Sequence, residues 1–247
     1  MNDYPDNQPD TLDPFPQSSS NFSDEEEPFE ESEETERPIT DPSRPRYRGA
    51  TSDPVFGYLL ALALSIGLIP LIGNGNADLR FTICWLALAA VGVLAWLMGN
   101  GERIGEEIPE NLIWGVVFGL IVGAPFYAFG GATLSSAVKQ IFVGMRPGTV
   151  LAYLIFVMPL AETLFFRGVL QQGREFWEVG LWSSFWSILL FFPLLNLGEY
   201  PAVAFVIAVA LVIINMIYSY VRYRNGLAAA WLCQITINVV MIFLPFL

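Results

Sequence analysis

The sequence predicts an all-α protein, a polytopic transmembrane helix bundle of about seven spans behind a disordered acidic N-terminal tail. Three observations predict it. Of 247 residues, 54% are apolar. They gather into seven runs, each near the roughly 20 residues a helix needs to cross a bilayer core. The charge gathers elsewhere: residues 1–53 hold fifteen of the 24 acidic residues and four of the 12 basic ones, a net charge of −11.

The tail comes first. Residues 1–53 are rich in Asp, Glu, Ser and Pro, with close-packed like charges at 24–27 and 30–36. Such a segment cannot bury enough apolar surface to offset its ordering entropy. It reads as a cytoplasmic tail that either solubilises the chain or docks a cytoplasmic protein. No basic stretch leads into an early apolar run, so a cleaved secretory signal is not expected.

The seven runs follow, at roughly 54–72, 81–98, 112–132, 150–170, 179–197, 201–221 and 227–247. Barrel strands are about half that length and alternate in polarity. Helices are therefore the element that satisfies these backbones in lipid. Gly115, Gly119 and Gly123 form a stripe in the third run that lets a neighbouring helix approach closely. After it, Leu134, Val138, Ile141 and Phe142 recur at helical spacing beside polar residues, which predicts a short interfacial helix.

Basic residues set the orientation. With the N-terminus cytoplasmic, the inner segments hold Arg37, Arg44, Arg46, Arg48, Arg103, Arg167, Arg174, Arg222 and Arg224, and the outer loops hold Arg80, Lys139 and Arg146. The expected setting is a bacterial-type cell membrane. No basic face is present to bind nucleic acid. The chain lacks histidine altogether, and its two cysteines lie in apolar runs. No metal centre and no cofactor are expected.

Few polar groups lie at depth, and those are the candidate site. Glu162 stands in the fourth run. A carboxylate there costs several kcal/mol unless it is paired, protonated or hydrated, and an acid so placed suits general-base work. Arg167 lies five residues on, about 140° around an α-helix, which argues against an easy pair with Glu162. Gln234 and Asn238 share a face of the seventh run. Counting 1.5 Å per residue from the inner ends puts Glu162 at roughly 16 Å, Gln234 at roughly 10 Å and Asn238 at roughly 17 Å, so the three can share a layer. Asn196 comes out nearer the outer face, so its membership depends on tilt or on a broken helix, a break that Pro193 would supply. Asn215, central in the sixth run, reads as a helix-packing residue.

The run Glu162-Thr163-Leu-Phe-Phe-Arg167-Gly168 resembles the first motif, Glu-Glu-x-x-Phe-Arg-Gly, of the CPBP family. These are the CAAX-processing and bacteriocin-processing intramembrane proteases, also called the Abi family. Phe192-Pro-Leu-Leu-Asn196 stands where the family has Phe-x-x-x-His, and Gln234-Ile-Thr-Ile-Asn238 where it has His-x-x-x-Asn or His-x-x-x-Asp. The resemblance covers roughly residues 147–243. It implies Glu162, Asn196, Gln234 and Asn238 as the catalytic set, with Thr163 and Arg167 supporting the site. In the family a Glu activates water while the histidines and Asn hold a metal or the oxyanion. Here the second Glu is Thr163, and both histidines are amides. Amides are poor zinc ligands, although they can donate to an oxyanion. The resemblance therefore implies a membrane protein with lost or strongly reduced endopeptidase activity. It would keep an intramembrane pocket for a membrane-embedded peptide, lipid or protein partner. An active glutamate peptidase is the alternative. A small transporter or scaffold, with Glu162 as a proton or substrate site, is another.

Overall fold

The computed structural model describes residues 54–72, 76–100, 108–195 and 201–247. The tail, residues 1–53, lies outside the described residues, and so does Asn196. Seven helices are long and apolar enough to cross a membrane: α1 (Pro54–Ile72), α2 (Ala77–Met98), α3 (Pro109–Ile141), α4 (Pro147–Gln172), α5 (Phe176–Leu194), α6 (Pro201–Asn225) and α7 (Leu227–Phe246). They match the seven apolar runs. The protein is an integral, multi-pass helical membrane protein, and no strand occurs among the described residues. Large apolar side chains such as Phe129 (91% exposed) and Leu71 stand on the outer surface, as lipid-facing residues do and the surface of a soluble domain does not.

Local chemistry sets the helix limits. Proline opens α3 and α4 after an extended Ile108 and Arg146. At a first turn its missing N–H costs nothing. Gly226 (φ 95°) makes the left-handed corner between α6 and α7. Pro193 tightens the last turn of α5, and the chain is extended by Leu195. The fifth helix therefore does end at that proline.

The third helix has two halves. Its first half lies on α7 through the glycine stripe. A Cβ at Gly115 would run into the Ala229 carbonyl, and one at Gly119 would come within 2.6 Å of Thr236 Cβ. At Gly131 (φ 45°, ψ −132°) the helix kinks, in a conformation that only glycine adopts at little cost. The second half is the short helix expected from the sequence, but its apolar face turns inward. Val138 and Phe142 are buried, Phe142 packs on Phe81 and Phe246, and Ser135 donates to the Pro245 carbonyl at 2.8 Å.

Two arginines also depart from the expected loops. Arg80 is buried in α2 and donates to the carbonyls of Leu190 (2.9 Å), Leu189 (3.3 Å) and Ser65 (3.2 Å). It caps the loosened end of α5, where unpaired carbonyls attract a cation. Arg167 is buried in α4. Setting both aside changes the count behind the expected orientation from nine against three to eight against two.

Candidate intramembrane site

The site is built on α4, whose path is irregular on both sides of Glu162. Turns at Tyr153–Val157 and Thr163–Val169 are widened to i→i+5 hydrogen bonding. Such turns concentrate at functional sites. Pro159 accounts for the first. It brings no N–H, and its ring crowds the carbonyl four residues back, inside the widened stretch. In the second, residues five apart come one above another. Glu162 and Arg167 therefore both face the bundle interior, although an α-helix would set them about 140° apart.

Glu162 is 1% exposed, and both of its carboxylate oxygens accept hydrogen bonds. Its Oε1 accepts from the indole N–H groups of Trp85 on α2 (3.1 Å) and Trp186 on α5 (3.2 Å). Its Oε2 accepts from Gln234 Nε2 on α7 at 2.7 Å. Gln234 Oε1 in turn accepts from the Thr163 hydroxyl at 2.9 Å. Four helices thus converge on one carboxylate through neutral donors.

Arg167 forms a second centre rather than a pair with Glu162. Among the described residues, no ion pair joins them. Arg167 Nη2 donates to Asn215 Oδ1 (3.0 Å) and Ser183 Oγ (3.2 Å), and its guanidinium lies over the rings of Phe166 and Tyr218. Asn215 Nδ2 donates to Ser187 Oγ (3.2 Å) and to the Leu211 carbonyl (3.0 Å). Asn215 does tie helices together, and it also carries Arg167 of the first motif, a link its position in the sequence does not show.

Asn238 lies one turn beyond Gln234 and has a different task. Its Nδ2 donates to the Leu154 carbonyl at 3.0 Å and approaches Met158 Sδ. This fixes the amide's orientation and leaves Oδ1 as its remaining polar atom. Glu162, Ser187, Asn215 and Asn238 all border one cavity of about 400 Å³, whose other walls are almost wholly apolar. Thr163 and Gln234 lie behind Glu162, away from that cavity.

The structure therefore brings Glu162, Thr163 and Gln234 into contact and sets Asn238 on the same cavity. Sequence reasoning missed Trp85 and Trp186. The available signal was physical: a carboxylate at depth needs donors, and an indole N–H in an apolar span needs an acceptor.

The arrangement does not fit a zinc ion. Zinc takes imidazole, thiolate and free carboxylate. Here the surrounding groups are amides and indoles, and both Glu162 oxygens already hold N–H donors.

Residues 146–240 match the model of a family described as Rce1-like, type II CAAX prenyl endopeptidase Rce1-like. That stretch runs from the start of α4 into α7, the region over which the motifs resemble the CPBP proteases. Over this stretch the chain is similar to the CAAX prenyl endopeptidases that the model describes. No curated protein and no solved structure matches the chain.

Proposed function

We propose that this protein is a CAAX-protease-like membrane protein whose endopeptidase activity is lost or strongly reduced. Its intramembrane pocket is kept to bind a peptide, lipid or partner. The engagement of Glu162 carries the reading. A general base must reach a water and accept its proton. Here three N–H donors occupy the carboxylate, and Thr163 and Gln234 stand where the family has a second carboxylate and a histidine. These two substituted positions bond to each other. They form a matched neutral pair, as a position does when it has settled into a structural part. The N-terminus faces the cytoplasm in this reading, and the acidic tail stays on that side to solubilise or to dock a partner.

One observation favours the active alternative. Oε2 of Glu162 accepts a single hydrogen bond, and the residue borders the cavity. A water in that cavity would have one lone pair to approach, and Asn238 would be its neighbour.

The test is cleavage by the purified, reconstituted protein of prenylated and unprenylated C-terminal peptides. No cleavage above background is expected. Turnover that Glu162→Gln abolishes would overturn the proposal and establish the glutamate peptidase. Glu162-dependent solute flux in the same vesicles would establish a transporter.

A further inference from the structure

The apolar cavity has an open side, and the structure says where it is. The glycine stripe holds α3 on α7 as far as Gly123. Cavity-lining residues on α3 begin just beyond, at Phe126, and continue past the kink at Gly131. The opposite wall is the first half of α6. The cavity thus lies along α3 around its kink, between the glycine stripe and the contacts that Ser135 and Phe142 make with Pro245 and Phe246 at the end of α7. Among its lining residues, Val206 is 63% exposed, and Ala202 and Thr133 are exposed as well. Val206 lies five residues into α6, roughly 8 Å below the helix start. That depth is hydrocarbon rather than water, so the mouth opens sideways into the bilayer.

The walls also define the occupant. Asn215 spends its amide on Arg167, Ser187 and Leu211, Asn238 spends its N–H on Leu154, and Glu162 holds three donors. Among the described residues that line it, none is Arg or Lys. An apolar cavity of this kind stays dry and takes hydrocarbon. At the ~30 Å³ that a small molecule such as water occupies in a liquid, about 400 Å³ has room for roughly a dozen heavy atoms. We propose that the cavity holds one straight acyl chain of a bilayer phospholipid, inserted sideways between the second half of α3 and the first half of α6. Its methyl end reaches toward Glu162 and its headgroup stays outside. The inference rests on the retained-pocket reading and names its ligand. The bilayer supplies such chains at the mouth at very high local concentration, so occupancy follows by mass action.

The test uses the full chain in vesicles of phosphatidylcholine carrying a photoactivatable diazirine near the end of one acyl chain. Illumination is followed by peptide mapping. Cross-links are expected at Ile214 and Met241, which line the cavity and are buried, besides those at the outward Phe205 and Val209. Ala210→Phe fills the cavity. It should cut the inner cross-links at least tenfold and leave the outer ones unchanged, which also shows that the variant is folded and reconstituted. Labelling confined to Phe205 and Val209 would overturn the proposal, and so would inner labelling that Ala210→Phe does not reduce. Inner labelling by an isoprenoid diazirine but not by the acyl probe would replace the ligand class. Peptide cleavage would sink the pseudoenzyme reading without touching this result, because the readout is occupancy.

Discussion

Replacing Glu162 by leucine removes the acceptor that three buried donors share. Trp85, Trp186 and Gln234 would each keep an N–H with nowhere to go. A stranded buried donor costs about 1–3 kcal/mol. Leucine returns part of that by ending the desolvation of a carboxylate, which leaves a net loss of about 3 kcal/mol, in the range for breaking a buried polar network. Glutamine behaves differently, and the reason lies in the second layer of bonds. Its oxygen keeps both indoles, while its amide N–H₂ meets that of Gln234. Gln234 relieves the clash by turning over, because Thr163 Oγ1 accepts a hydrogen bond as readily as it donates one. The expected cost of Glu162→Gln is about 1 kcal/mol. Since 1 kcal/mol moves the midpoint by about 2–4 °C in a domain of this size, thermal unfolding followed by tryptophan fluorescence in detergent should show a fall of roughly 6–12 °C for leucine and of 2–4 °C for glutamine. Thr163→Val removes the rescue, so Glu162→Gln with Thr163→Val should cost about 1–2 kcal/mol more than the two single changes added together. Equal effects of leucine and glutamine, or additivity in the double variant, would refute the reasoning.

Other sites give sharp contrasts. Gly119→Ala forces a Cβ to within 2.6 Å of Thr236 and should cost about 1–3 kcal/mol. Gly67→Ala, where a Cβ meets nothing within 4 Å, should be neutral or slightly stabilising in the same melt. Arg167→Met strands Asn215 Oδ1 and Ser183 and should lower stability by about 2–4 kcal/mol. Asn215→Ala added to it should cost little more, as a double-mutant cycle will show. Restoring the family's residue pair tests the matched-pair idea: Thr163→Glu alone places a second carboxylate beside Glu162 and should destabilise, whereas adding Gln234→His should recover at least about 1 kcal/mol.

Much of this was readable from the sequence because the membrane narrows the choices. Apolar run length located all seven helices, since only a closed backbone survives in lipid. Depth arithmetic put Glu162 and Gln234 within reach of one another, because a helix rises by a constant amount per residue. What stayed hidden depends on three-dimensional direction. The widened turn at Thr163–Val169 rotates Arg167 inward by an amount that no α-helical wheel contains. Trp85 and Trp186 look like ordinary lipid-loving residues until their indoles are seen to meet one carboxylate. Arg80 reads as a loop charge because it stands just before an apolar run, and its carbonyl partners on α5 draw it inward. The second half of α3 looked amphipathic, and it is, but its apolar face answers to Phe81 and Phe246 rather than to lipid.

The arginine clamp at the end of α5 also sets an order of assembly. Arg80 belongs to the second helix, and its partners Leu189 and Leu190 are made 109 and 110 residues later. At 5–20 residues per second a ribosome needs on the order of ten seconds to deliver them. Until then the second helix carries a cation that only α1 can partly satisfy, through Ser65. Glu162 waits in the same way for Gln234, 72 residues downstream. A nascent chain stalled before α5 therefore holds a charge whose carbonyl partners on α5 are not yet made.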